Sequence, residues 1–243
     1  MLNARNVVPV ESRIFHGAEI WLILQALGAA PPEMVAPSEL APSADAVRLA
    51  EQSLIHQGVL GIDAKAGSRL SAEIDALIRP TAFPDTVCIL NVTTRFTNSQ
   101  DSQMVTFSHL SRSFVANWVD EDNNHHFELY SPGDVEHSIW KHLLRICDLD
   151  IEEPDGIDDQ SDPSTIQQAI QQMKQTVLLM CIEPFWPLEQ GQRALSWFIS
   201  DRHAWLIERQ AAIEQLPKRV GRDTIMGAVQ AFLSPQFSAG DQL

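Results

Sequence analysis

Two short runs that are apolar on both faces constrain this chain more than anything else in it. Val87 to Val92 (VCILNV) is one and Thr176 to Ile182 (TVLLMCI) is the other. A strand with aliphatic side chains on both sides belongs in the middle of a sheet that is covered on each face. Each run has a helical pattern before it. Each has alternating extended segments and then an amphipathic helix after it. The expected fold class is therefore α+β: an antiparallel sheet built from two pseudo-twofold-related strand–helix units, with an N-terminal helical segment.

In the first series the period changes from helical to extended after Pro84. Val105 and Phe107 alternate with Thr106 and Ser108; Phe114, Ala116 and Trp118 alternate with Val115, Asn117 and Val119; Phe127 and Leu129 alternate with Glu128 and Tyr130. Thr97-Asn-Ser, Ser111-Arg-Ser and Glu121-Asp-Asn-Asn read as turns. Ser131-Pro-Gly-Asp134 reads as a capping box opening a helix, with Val135, Ile139, Trp140, Leu143, Leu144 and Ile146 on one face.

The second series repeats that order. Asp162-Pro163 caps a helix to about Lys174, and Ser200-Asp-Arg-His joins two extended runs, Ala194 to Ile199 and Ala204 to Glu208. A weaker extended run covers Ala212 to Leu216. Asp223 caps a last helix bearing Ile225, Met226, Val229 and Phe232 and ending near Pro235. Thr86-Val87 matches Thr176-Val177, Phe107 matches Trp197 and Arg112 matches Arg202, each at an offset of 90 residues. Asp134 matches Asp223 at 89. A four-stranded sheet with one helix leaves apolar surface or an edge open, and two such units joined together can bury it. An internal duplication is the expectation.

The N-terminal part reads as helical. Ala18 to Leu27 is followed by Gly28 as C-cap, a Pro-rich connector spans Ala30 to Pro42, and Ser43 or Asp45 caps a second helix. In that helix Val47, Ala50, Leu54 and Ile55 share a face, and it ends near Gly58. Ser71 opens a third helix (SAEIDALI) stopped by Pro80. The expected organisation is one domain over 1–243: a helical segment 1–80, a first α+β unit 81–147, an acidic linker 148–162 and a second unit 163–243. The linker holds eight carboxylates in fifteen residues. A calcium loop fails there, because Gly156 at the sixth position puts Ile151 where an Asp must ligate.

Charge and motif narrow the function. The chain carries a net charge of −15, against contact with nucleic-acid phosphates or an anionic membrane. Leu49 to Leu60 followed by Arg69, Leu70 and Ser71 has a helix-then-wing pattern, but residues 1–85 hold six basic and ten acidic side chains, wrong for reading DNA. The N-terminus has no apolar signal core, and no apolar stretch is long enough to cross a bilayer. Cys88, Cys147 and Cys181 read as three free thiols in a reducing cytoplasm. No phosphate loop, zinc motif or nucleophile elbow is present, so no catalytic, cofactor-binding or metal-ligating residues are expected. His125 and His126 point to opposite strand faces, His137 and His142 are badly spaced for chelation, and all four read as surface or half-buried residues. The tryptophans fall on apolar faces, except Trp186, which sits in the Pro-bounded loop Glu183-Pro-Phe-Trp-Pro187. It is the candidate exposed anchor at an interface.

The order of these features resembles a known family. A helix ends Ala26-Leu27-Gly28, a Pro-rich connector follows, a long helix ends QGVL (Gln57 to Leu60), and a short helix ends LIRP (Leu77 to Pro80) before the duplicated units. This is similar to the EspG family of type VII (ESX) secretion chaperones, across roughly residues 5 to 235. The resemblance implies a cytosolic, non-enzymatic α+β protein of quasi-twofold symmetry that binds the tip of a helical PE–PPE pair. It implies that the loop between the first two strands of the first unit, Phe96 to Gln103, helps grip the client, with Phe96, Asn98, Gln100 and Asp101 as candidate contacts. It also points loosely to the helix at 163–175. The expected partner is thus a protein, a helical secreted client, with no cofactor, nucleic acid or membrane; monomer and homodimer stay open. The alternatives are an immunity or antitoxin-type inhibitor that blocks a basic site, and an enzyme with a divergent carboxylate or His site.

Overall fold

The N-terminal strand is the largest departure from these expectations. Glu11–His16 forms β1, and it pairs antiparallel with a strand more than a hundred residues away. Only Phe15 of its six residues is buried, so no alternation of apolar and polar side chains marks it. The computed structural model describes residues 8–29, 42–63, 67–96, 99–147, 151–152, 163–182, 192–200, 203–207, 209–210, 213–214 and 217–237.

After β1 come α1 (Gly17–Ala26), α2 (Ala44–His56), β2 (Leu60–Asp63), β3 (Gly67–Leu70) and α3 (Ala72–Ala82). The first strand series is β4 (Thr86–Arg95), β5 (Gln100–Leu110), β6 (Ser113–Val119) and β7 (Asn124–Tyr130), closed by a 3-10 turn and α4 (Val135–Ile146). The second is α5 (Pro163–Gln171), β8 (Met173–Ile182), β9 (Gln192–Ser200), β10 (His203–Ile207), the short β11 (Arg209–Gln210) and β12 (Ile213–Glu214), β13 (Lys218–Val220) and α6 (Arg222–Phe237). The fold class is α+β, with six α-helices among the described residues and a nine-stranded antiparallel sheet in the order β1-β7-β6-β5-β4-β8-β9-β10-β13. The two doubly apolar runs, in β4 and β8, are neighbours near its centre. Cys88, Leu90 and Val92 on one face of β4, and Val177 and Leu179 on one face of β8, are each at most 1% exposed; on the other faces Ile89 of β4 is buried, while Thr176, Leu178 and Met180 of β8 are only half-buried, so the expected cover on both faces is incomplete at β8.

The chain divides into two compact units. One holds Val8–Val87 and Thr106–Asp134. Its core joins Ile20 and Leu24 of α1, Leu54 of α2, Ile74 and Leu77 of α3, Val115 of β6 and Phe127 of β7. Burying each such side chain contributes about 1.5–3 kcal/mol. The helix starts are capped as the sequence asks: Ser43 Oγ accepts the Ala46 N–H and Ser71 Oγ accepts the Ile74 N–H. His16 caps α1, and its own N–H donates to Glu19 Oε2 at 2.9 Å, a reciprocal capping box. Helix α3 runs through Pro80 to Ala82, beyond the expected stop. So late in the helix a proline forfeits one bond, to the carbonyl of Ala76, and Phe83 N–H still closes the end on Arg79 O at 2.9 Å. The hairpin β2–β3 follows α2 as a wing.

The other unit holds Cys88–Val105 and the described residues from Val135 onward. There Ile166 and Ala169 of α5 cover Phe198 and Trp205, whose rings stack 6.0 Å apart, and α6 packs against α4 and β9. Four details differ from the sequence reading. In α4 Leu144 is 44% exposed while His142 is fully buried, since His142 lies about 60° and Leu144 about 140° round the axis from Ile139. The turn after Ser131 is 3-10, with α-helix only from Val135. Asp223 lies inside the first turn of α6, whose first bond ends on Gly221 O, and α6 continues past Pro235. Cys88 is disulfide-bonded and Cys147 is a buried free thiol, so the expectation of three free thiols fails, and with it the argument from cysteines to a reducing compartment.

Candidate functional site

Side chains along a sheet strand normally alternate between cover and water. The outer end of the β4–β5 hairpin does not. Gln100, Asp101, Ser102, Gln103 and Met104 are all exposed, and the next four residues of β5, Val105 to Ser108, are all buried. On the facing strand, burial gives way to exposure at Arg95 and Phe96. On β5 both faces of this segment are therefore uncovered, whereas on β4 cover persists through Thr94, with Val92 1% exposed; this outer end of the hairpin is the arm. Five extended residues reach about 17 Å.

Short polar side chains stiffen the arm. Ser102 Oγ donates to Asn91 Oδ1 at 2.8 Å and lies 3.4 Å from Thr93 Oγ1. At the tip, Phe96 N–H donates to Ser99 O at 2.9 Å. On the opposite face Thr94 Oγ1 accepts from Gln175 Nε2 of β8 at 3.1 Å, and Gln175 Oε1 accepts from Cys147 Sγ at 3.5 Å. Thr94, two residues before Phe96, thus ties the β4 side of the arm to β8, and Gln175 links it on to Cys147 at the end of α4. Apolar surface is offered on the arm as well: Phe96 is 55% exposed and Met104 40%. An exposed phenyl ring and a pliable thioether, beside amide and carboxylate side chains, suit binding a mixed apolar and polar surface.

No protein-family model matches the chain, and no curated protein matches it. A solved structure does: the chaperone EspG5 of the Mycobacterium tuberculosis type VII secretion system, in complex with the PE25–PPE41 dimer. The likeness covers 92% of this chain and 96% of that one, with a TM-score of 0.62 and 12% sequence identity. This chain has that chaperone's fold. At such identity the likeness establishes architecture, and activity must be argued from the residues.

Of the candidate contacts, Phe96, Gln100 and Asp101 fall together on the arm. Asn98 and Trp186 lie outside the described residues. The sequence reading stopped the loop at Gln103 and so passed over Met104 and the Asn91–Ser102 bond. The exposed hydroxyl and amide at alternate positions, 91, 93 and 102, are the signal that could have found them. Of the 163–175 region, α5 carries Ile170 at 46% exposure.

A second polar cluster sits at the β6–β7 turn. The His126 ring stacks on Trp118, and its Nε2 is 2.8 Å from Asp120 Oδ2. The same carboxylate accepts the N–H groups of Asp122 and Asn124 at 3.0 and 2.9 Å. That bonding, led by His126, holds the Asp120 carboxyl far below the usual carboxylate range. The cluster's job is to fix a turn in which Asn123 adopts φ 60°. His125, next in sequence, is fully buried, where a surface or half-buried residue was expected, and its Nδ1 has no hydrogen-bond partner. Burial, with the nearby His16 adding to it, pushes its pKa down to about 4. Among the described residues no group of three or more His, Cys, Asp or Glu is placed to hold a metal ion. None of their helices is long and apolar enough to cross a membrane.

Proposed function

We propose that this protein is a cytoplasmic, non-enzymatic binding protein of the secretion-chaperone kind, and that its β4–β5 arm grips a helical protein client. The observation that carries this reading is the run of five uncovered residues, Gln100–Met104, near Phe96 on a hairpin whose β4 strand is held by Gln175 at Thr94. Gln100 and Asp101 supply polar contacts beside Phe96, and Asn98 and Trp186, which lie outside the described residues, are further candidate contacts. The fold of EspG5, whose structure holds a PE25–PPE41 dimer, supports a protein partner. A net charge of −15 favours a partner with basic patches and opposes self-aggregation. The same reading takes the two strand series as copies of one module, supported by the sheet order, in which each series runs outward from its own doubly apolar strand.

Affinity capture from the native host, with the native chain beside Phe96→Asp and Met104→Asp, tests the assignment. Recovery of helical secreted proteins by the native chain, lost with both variants, is the expected result. Capture that ignores both substitutions contradicts the arm. A toxin with a basic active site in place of secreted proteins would favour the inhibitor reading.

A further inference from the structure

Arginines in this acid-rich chain find carboxylates. Arg13 pairs with Glu11, Arg48 with Asp45 and Arg79 with Asp75. Arg219 of β13 does not. Among the described residues it forms no ion pair, although the chain holds 32 Asp and Glu. Its hydrogen-bonding neighbour is the ring of His203, with Nη2 2.9 Å from Nδ1 and 3.3 Å from Nε2. Its Nε is buried and has no acceptor.

Strand β13 pairs antiparallel with β10, and Arg219 stands directly opposite Trp205. Opposed residues share a sheet face, with Cβ atoms about 5 Å apart. Trp205 is 2% exposed, and its Nε1 is likewise buried without an acceptor. His203, two residues before Trp205, lies on the same face. Phe198 stacks on Trp205 there, and Ile166 and Ala169 of α5 cover the pair. Helix α5 has no charged residue. The guanidinium is thus held beside an apolar wall, with two unpaired N–H donors on neighbouring residues and no negative charge to meet them. Buried donors in folded proteins are nearly always paired, and an unpaired one calls for an acceptor.

We infer that Arg219, His203 and Trp205 form a binding site for a carboxylate, carried by a small acid or by a side chain of a peptide. A guanidinium offers donors alone, so the imidazole facing it must be neutral and accepting. A carboxylate is the stronger acceptor: it takes two parallel N–H bonds from the guanidinium fork and frees His203 to donate its own. Arg219 is half-buried rather than sealed, so the guanidinium can turn from the ring to meet the ligand. Charge selects among oxyanions. This face of β10 and β13 has one fixed positive charge, since Lys218 points to the other face. One carboxylate balances it, whereas a phosphate dianion leaves a surplus in a chain of net charge −15.

NMR titration of the full chain with sodium acetate at pH 8 and constant ionic strength reads the site directly. The signal followed is the indole Nε1–H of Trp205, assigned by its loss in Trp205→Phe. The native chain is expected to show a saturable shift, and inorganic phosphate is expected to bind more weakly than acetate. Arg219→Gln is expected to weaken acetate binding at least ~tenfold. Lys218→Gln removes the same charge from the opposite face and is expected to leave binding within about twofold. Arg219→Lys keeps the charge, loses the fork, and is expected to weaken binding by less than Arg219→Gln; circular dichroism verifies that each variant is folded. A short peptide with one internal Glu tells the two sources apart: binding tighter than acetate assigns the site to a peptide side chain, and weaker binding to a small acid. A native chain without a saturable shift overturns the inference. So do equal losses from Arg219→Gln and Lys218→Gln, or phosphate binding as tight as acetate.

Discussion

Ser102 Oγ donates to Asn91 Oδ1 at 2.8 Å across the β4–β5 hairpin, joining the uncovered end of β5 to the still covered β4. The bond is exposed, so its net contribution to global stability is small, about 0.5–1 kcal/mol. Its larger effect is local, on the uncovered end of β5. Ser102→Ala is expected to leave the thermal midpoint nearly unchanged while speeding hydrogen exchange of the amides from Thr93 to Met104. Unchanged exchange there would mean the arm owes its order to something else.

His125 gives the stability a pH dependence whose sign follows from its shift. Its pKa in the folded chain is down to about 4, against an ordinary 6.5. Between those values the unfolded chain takes up a proton that the folded chain refuses, so stability is complete above pH 6.5 and declines as pH falls towards 4. At pH 5 the loss from this group is about 2 kcal/mol. His125→Leu removes the titration and keeps an apolar neighbour for Phe127. Urea unfolding of both proteins at pH 7.5 and pH 5 should show the variant losing less on acidification.

Glu19 holds the start of α1 and a second helix together. It accepts the His16 N–H at 2.9 Å and Gln57 Nε2 at 3.3 Å, and it is 8% exposed. Glu19→Ala strands the His16 N–H, while Gln57 Nε2 keeps its bond to Ser53 Oγ at 2.9 Å, and should cost about 1–2 kcal/mol in urea unfolding. Glu19→Gln keeps an acceptor for the capping bond and should cost less than about 1 kcal/mol. Equal losses from the two variants would show that packing, not capping, is what the side chain supplies.

Asn123 occupies the left-handed region at φ 60°, with its side chain against Gly17. A Cβ on Gly17 would stand 2.6 Å from Asn123 Nδ2. Asn123→Gly should be tolerated, because glycine adopts this conformation freely, whereas Asn123→Val should destabilise the fold by about 1–2 kcal/mol. Thermal unfolding of the two variants separates backbone strain from loss of the amide.

The legible parts of the fold were those with a strong local signal. VCILNV and TVLLMCI could only be interior strands, and Ser43 and Ser71 announce helix starts by their chemistry. What escaped had no such signal. Strand β1 is selected by pairing with β7 and buries only Phe15, so its composition looks like a loop. Pro80 reads as a stop because sequence alone cannot place it so near the natural end of α3. His142 and Leu144 exchange expected roles because the buried stripe of α4 is set by what it packs against, not by hydrophobicity alone. At the candidate site, Thr97-Asn-Ser reads as a turn and Phe96 to Gln103 as a loop. That β5 begins at Gln100 and stays uncovered to Met104 follows from where cover ends, a property of other elements.

Photo-crosslinking in the native host tests the central claim most directly. A photoreactive residue at position 96 or 104, on the arm, is compared with one at position 49, where Leu49 is also exposed but lies on α2. The account predicts adducts with helical secreted proteins from positions 96 and 104 and none from 49. Adducts from position 49 alone, or from none of the three, would contradict it.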